Sequence, residues 1–245
     1  CGAGDSPVLA FDRSVVATAV DYLKHDHDAP QCIVVGTYGP HFPYCAPPEL
    51  YHKYRDRVGL PFSWDPAGED ENPMIDAKRH RQRRSLVTGE TEPVDERIVL
   101  AARAAYFGMI EEQDRLVGQV REAWHDRVAR SKSGGVLMYG SDHGDTCGEH
   151  GIFGKQTFYE GSSRIPVLIE GSDIPAGRRV DQPVSIMDLG PTLCELGGAA
   201  PPPGANGMSL VSALRGEASA ATDGERLVLS EWCEWFEGRP VVGRM

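Results

Sequence analysis

The sequence predicts an α/β fold, a mixed but mainly parallel sheet flanked by helices, on three observations. Short apolar runs bounded by glycine or turn residues recur at residues 31–36, 136–139 and 164–170. They are too short to close several helical turns and suit buried strands. Stripes of helical period lie between and beside them, at residues 11–25 and 95–129, as parallel strands need for their crossovers. The first two runs each empty into a loop of chemically competent side chains, and in open α/β sheets the strand ends are where ligands bind.

In chain order, Phe11 to His25 carries Val15, Val16, Ala19, Val20 and Leu23 at helical spacing, and His25-Asp26-His27-Asp28 ends the helix ahead of Pro30. Alternating His and Asp at a helix exit reads as a solvated tail rather than a metal site. Gln31 to Gly36, QCIVVG, reads as a buried strand opening into Thr37-Tyr38-Gly39-Pro40-His41-Phe42-Pro43-Tyr44. The two prolines around His41 are expected to hold it in an extended segment, lowering the entropy lost in aiming its imidazole. Tyr51 to Asp95 loses periodicity and gathers proline and charge, an irregular region expected to carry substrate specificity. Its basic run, Lys78 to Arg84, lacks interleaved aromatics, so a solvated face or an anion-guiding patch fits it better than nucleic acid. Asp95 to Ala129 is the clearest helix, with Asp95 as N-cap and with Gly108 and Gly118 marking a kink or a close packing contact.

The stretch from Gly134 to Glu170 concentrates the chemistry. Val136 to Tyr139 form a strand, and Asp142 and His143 follow at its carboxyl end. Adjacent side chains on a strand point to opposite faces, so for both to reach one ion the backbone must turn, and Gly140 and Gly144 permit that. One carboxylate and one imidazole are too few ligands for Ca²⁺, Mn²⁺ or Zn²⁺, so the others come from elsewhere in the chain or from substrate. Lys155, after a glycine-containing turn, would bring an ammonium to an anion held by that ion. Asp145, Glu149 and His150 share the loop. Beyond it, Arg164 to Glu170 reads as a strand, and Asp188 as the cap of a short helix ended by Gly197-Gly198. Leu210 to Gly216 reads as a helix and Leu227 to Glu231 as the last strand, with Trp232, Trp235 and Phe236 expected to pack on the sheet or, as the alternative, to line a substrate cleft.

The pattern S-D-H-G-D-x-x-G-E-H-G-x-x-G-K-x-x-x-Y-E-x-x-x-R-I-P, from Ser141 to Pro166, resembles the C-terminal signature of the type I sulfatases of the alkaline phosphatase superfamily. Its Asp-His form is most similar to choline-sulfatase-like and phosphonate monoester hydrolase members. Y-F-G-M-I-E-E-Q-D-R-L-V-G-Q-V and DLGPTLCELGG are similar to the family as well. The resemblance implies an alkaline-phosphatase-like fold, with residues 1–245 as the middle and C-terminal part of one catalytic domain and 51–95 as a specificity region within it. It implies Asp142 and His143 as metal ligands, and Lys155 on the sulfate or the leaving ester oxygen. It implies His41, in the P-H-x-P segment, as a substrate-binding residue that hydrogen-bonds the anion or assists proton transfer.

The reaction implied is metal-assisted attack on a sulfate monoester of a small alcohol or a carbohydrate. The cofactors implied are one divalent ion, Ca²⁺ with Mn²⁺ as the alternative, and a formylglycine from a cysteine outside this chain. Cys45-Ala46-Pro47-Pro48-Glu49 copies only the C-x-P part of the nucleophile motif, has Glu49 in the place of its arginine, and follows the P-H-x-P segment instead of preceding it. Cys1 is followed by Gly2-Ala3-Gly4 and fits no better. The chain therefore reads as a fragment not expected to turn over substrate alone. A phosphonate monoester or phosphate diester hydrolase and a non-catalytic anion-binding remnant are the alternatives.

Composition bounds the partners. A formal charge of -11 argues against general affinity for nucleic acid or anionic membranes, so anion selectivity must be local. No apolar run is long enough to span a bilayer, and the first residues lack the regions of a signal peptide. Six scattered cysteines without C-x-x-C spacing favour free thiols, with Cys32 and Cys194 expected buried. A reducing, cytoplasmic setting fits them. Oligomerisation is left open.

Overall fold

A computed structural model describes residues 1–64, 72, 75, 76, 78, 79, 94–132, 134–217, 226–236 and 238–245. Strand β1 (Gly2–Ala3) pairs in parallel with β2 (Cys45–Ala46), which brings the start of the chain beside the segment that follows His41. Between them lies helix α1 (Pro7–Leu23). It starts ahead of the apolar stripe because Ser6 accepts the Leu9 N–H at 3.2 Å and Pro7 takes the first helical turn. Helix α2 (Pro48–Arg55) follows β2 directly.

Helix α3 (Glu96–Ser131) is the scaffold of the molecule, opened by Asp95, whose carboxylate accepts the Ile98 N–H at 3.0 Å. It is one helix across both glycines. At Gly108 a side chain would lie 2.8 Å from the Ala46 Cβ and 3.2 Å from the Leu50 carbonyl carbon, so this glycine serves close packing. Gly118 meets nothing within 4 Å. Val99, Ala102, Ala105 and Met109 of α3 pack with Tyr44, Ala46 and Phe153 as one buried core. Burial of such side chains contributes about 1.5–3 kcal/mol for each large one.

Strand β3 (Val136–Gly140) pairs antiparallel with β4 (Val167–Gly171), Met138 opposite Ile169. Helix α4 (Glu160–Ser163) leads into β4, and helices α5 (Leu189–Leu196) and α6 (Val211–Arg215) follow it. Asp188 does not cap α5 with its side chain. It closes the 3-10 turn Ile186–Asp188 through the Ser185 N–H and takes the Met208 N–H and the Arg226 guanidinium as well. The last two strands, β5 (Glu231–Phe236) and β6 (Arg239–Arg244), form an antiparallel hairpin shifted beyond the 227–231 expectation.

The mixed α/β class stands, with one parallel and two antiparallel ladders among the described residues, where mainly parallel pairing was expected. The largest departure is QCIVVG. Residues 31–36 join no ladder, Cys32 is exposed and Val34 is 85% exposed. β3 likewise has one neighbour, so its other edge is unpaired among the described residues. Ile33 and Val35 line the same cavity of about 710 Å³ as Leu137 and Tyr139. A strand needs a hydrogen-bonding neighbour on each buried edge, and composition alone cannot supply one.

Other expectations shift for similar reasons. Cys194 is half-buried, and the buried thiol is Cys147. Trp235 is 72% exposed, while Trp232 lies under the Lys78 ammonium, 3.8 Å from its ring centre. Lys78 and Arg79 are buried, not a solvated face, and the remainder of the basic run lies outside the described residues, as does most of 65–93. No helix among the described residues is long and apolar enough to cross a membrane.

Candidate active site

The site begins where β3 stops. The Asp142 carboxylate accepts the His143 N–H at 2.9 Å, and the Ser141 hydroxyl donates to the His143 carbonyl at 2.7 Å, so the backbone turns sharply there. That turn brings the Asp142 and His143 side chains together, with Nε2 of His143 3.5 Å from Oδ2 of Asp142. Nδ1 of His143 lies 2.9 Å from the Gly144 carbonyl. A ring whose Nδ1–H is tied to a carbonyl keeps its Nε2 lone pair for a metal, the usual arrangement around a ligating histidine. The pair therefore fits two positions of a divalent site. Among the described residues no third His, Cys, Asp or Glu joins it.

The following loop folds around Asp145. Its carboxylate accepts the Cys147 N–H at 2.8 Å, the Gly154 N–H at 3.0 Å and the Tyr44 hydroxyl at 2.9 Å. Thr146 donates to the Ile152 carbonyl and Thr146 N–H to Gly154, closing the loop's base. Desolvation pushes the Asp145 carboxyl above the usual carboxylate range, although those donors and the nearby His143 pull the other way. Burial also pushes up the Tyr44 and Cys147 groups around it. Because Asp145 grips Gly154, it fixes where Lys155 leaves the loop. The Lys155 ammonium lies 5.9 Å from the centre of the Phe42 ring, next in sequence to His41.

His41 sits in a tight turn, not the extended segment the prolines suggested. Its N–H donates to the Tyr38 carbonyl at 3.0 Å, and both Gly39-Pro40 and Phe42-Pro43 are cis. Nδ1 lies 2.8 Å from the Phe42 carbonyl, and the ring packs on Phe42 with centroids 4.0 Å apart.

His41, Asp142, His143 and Lys155 all line the 710 Å³ cavity between residues 31–36 and β3. The sequence thus places all four predicted residues in one space. It missed Tyr44, whose hydroxyl reaches Asp145 from a segment 101 positions away. It also missed Asp12 and Gln113 behind the His41 turn. A signal existed for Asp12, since Leu9, Asp12, Val16 and Leu23 are the buried face of α1 and an acid on such a stripe demands donors. Cys45 is not among the residues lining this cavity; its thiol lies 3.6 Å from the Asp5 carbonyl, and burial pushes its pKa up.

Comparison with known proteins gives the site a context. The family described as Sulfatase matches residues 4–199. Arylsulfatase K of Danio rerio is 39% identical over 109 residues, 44% of this chain and 20% of that protein. Choline-sulfatase of Rhizobium meliloti (strain 1021) is 32% identical over 193 residues, 76% of this chain and 36% of that protein. The solved phosphonate monoester hydrolase of Silicibacter pomeroyi superposes with a TM-score of 0.74 at 25% identity, covering 89% of this chain and 44% of its own. The chain spans less than half the length of each of these three.

Proposed function

The chain belongs to the sulfatase family, and from that premise we propose that the complete protein hydrolyses a sulfate monoester of a small alcohol or a carbohydrate. The observation that carries the proposal is the convergence of His41, Asp142, His143 and Lys155 on one cavity. Asp142 Oδ2 and His143 Nε2 would hold a divalent ion, Ca²⁺ or Mn²⁺, which when bound polarises a sulfate oxygen as a Lewis acid. The Lys155 ammonium offsets charge that builds on the sulfate and on the ester oxygen as it leaves. His41, whose Nδ1–H is engaged by the Phe42 carbonyl, acts in this reading as the imidazolium, whose Nε2–H binds the anion or passes its proton to the leaving oxygen.

The nucleophile in this reading is a formylglycine diol from a cysteine outside these residues, together with the remaining metal ligands. Within the loop itself Cys147 is unsuited to direct thiolate attack, being buried with its pKa pushed well up. In this reading such a segment would approach Asp142 and His143 through the cavity that residues 31–36 and β3 help to line. Attack forms a sulfur–oxygen bond to the nucleophile as the ester oxygen leaves with a proton, so the alcohol departs neutral. Hydrolysis of a phosphonate monoester is the second reading, favoured by the Silicibacter pomeroyi likeness.

The test compares kcat/KM for an aryl sulfate and an aryl phosphonate in the complete protein supplied with Ca²⁺ or Mn²⁺. The sulfate should be the better substrate. A preference for the phosphonate transfers the assignment to the second reading. Sulfate binding with turnover of neither ester identifies a non-catalytic anion binder.

A further inference from the structure

Behind the His41 turn lies a buried acid that the site as described does not use. Asp12, on α1, is 0% exposed. Its Oδ1 accepts the Tyr38 N–H at 2.7 Å and its Oδ2 the Gly39 N–H at 2.8 Å, and the Gln113 side-chain amide of α3 donates to Oδ2 as well. Two successive loop amides are thus gathered on one carboxylate, two and three residues ahead of His41. A buried carboxylate is costly unless donors fill its lone pairs, so the loop and the acid fix each other. Gly39 shows how close the fit is. A Cβ there would fall 2.1 Å from Gln113 Nε2 and 2.8 Å from Asp12 Oδ2, so the backbone lies flat on the Asp12–Gln113 pair. Gln113 is itself buried and lines the cavity that holds His41 and His143.

We infer that Asp12, braced by Gln113, is the positioning residue that aims His41 into the anion site. This rests on the sulfatase reading for what His41 does, but not for where it is held. The Tyr38 carbonyl that accepts the His41 N–H belongs to the residue whose own N–H Asp12 holds, so the clamp and the imidazole are joined through one turn. Misplacing a binding group by a fraction of an ångström weakens every interaction it makes with a reacting anion.

The first experiment needs no turnover. In this chain, Asp12→Asn puts an NH₂ where an oxygen meets donors, and Gln113→Leu removes the brace alone, a milder change should the first variant fold poorly. Ring resonances of His41 should shift in both, and the Tyr38 and Gly39 amides should exchange faster, while the ring of His150, stacked 3.8 Å from Tyr159, stays put. An unmoved His41 ring in a folded variant overturns the inference, as does an equal shift of both rings. In the complete protein, Asp12→Asn should lower kcat about tenfold but add nothing in a His41→Ala background. Equal losses in both backgrounds make Asp12 merely structural. A wild-type protein without turnover sinks the sulfatase reading, and the ring resonances still decide the role of Asp12.

Discussion

The loop after β3 and the run at residues 31–36 are built on the same plan, an apolar run followed by polar residues, yet one is finished and the other is not. From Asp142 to Lys155 the loop is closed mainly by its own groups, Asp145 and Thr146 bonding Cys147, Ile152 and Gly154, with Tyr44 adding a donor from 101 positions earlier. Residues 31–36 have the composition of a buried strand but leave Val34 85% exposed and pair with nothing among the described residues. A loop that carries its own donors and acceptors is defined by local sequence, whereas a strand is defined by its neighbours. The residues proposed for the metal and the anion therefore share a cavity with residues 31–36, whose backbone joins no ladder among the described residues.

The comparison breaks first at the finished loop. Asp142→Ala or His143→Ala in the complete protein should lower kcat/KM on the order of 10³-fold with the fold retained, as expected for losing a ligand of an ion that stabilises transition-state charge. Steady-state kinetics with circular dichroism checks this, and a loss below tenfold would remove the pair from the site. The unfinished run sharpens it next. Val34→Asp should change the stability of this chain by less than about 0.5 kcal/mol, as at an exposed position. If the complete protein pairs and buries the run, the same change there should cost about 2–4 kcal/mol. Denaturant midpoints on the two proteins decide, and matching small values would make 31–36 a surface segment.

Within the loop, Tyr44→Phe removes one of three donors to Asp145 and should destabilise the chain by about 2 kcal/mol, read from the denaturant midpoint at unchanged slope. The smallest effect lies away from both regions. Glu170 on β4 is held below its ordinary value of 4.5 by the Arg121 guanidinium, bonded at 2.8 Å. A carboxylate with a depressed folded pKa contributes stability above its unfolded pKa and loses it as pH falls through the folded one. Wild type should then lose slightly more stability than Glu170→Gln on acidification below about pH 5, and the exposure of the pair keeps the difference small. Identical acid profiles would show the pair to be inert.

How much the sequence revealed follows the same division. That Asp142, His143, Lys155 and His41 belong together was legible because the first three fall in the long motif from Ser141 to Pro166 and His41 follows an apolar run in its own P-H-x-P segment; they line one cavity. The antiparallel direction of β4 was not legible, since the segment from Ser141 to Pro166 is long enough to join strands of either sense. β6 lies beyond the last strand expected from sequence, and it contains Pro240 and Gly243. An edge strand tolerates such residues, and Gly243 gives room to Phe158, 2.6 Å from where its Cβ would be. Asp12 reads in sequence as a polar break in a helix stripe, and only the arrival of Tyr38 and Gly39, more than twenty positions later, gives it a purpose.

The central claim is that the end of β3 holds a divalent ion through Asp142 and His143. The most direct test loads the complete protein with Mn²⁺ and records electron spin echo modulation from bound metal. The account predicts ¹⁴N coupling from one imidazole that disappears in His143→Ala. Bound Mn²⁺ with no imidazole coupling, or coupling that survives His143→Ala, would contradict it.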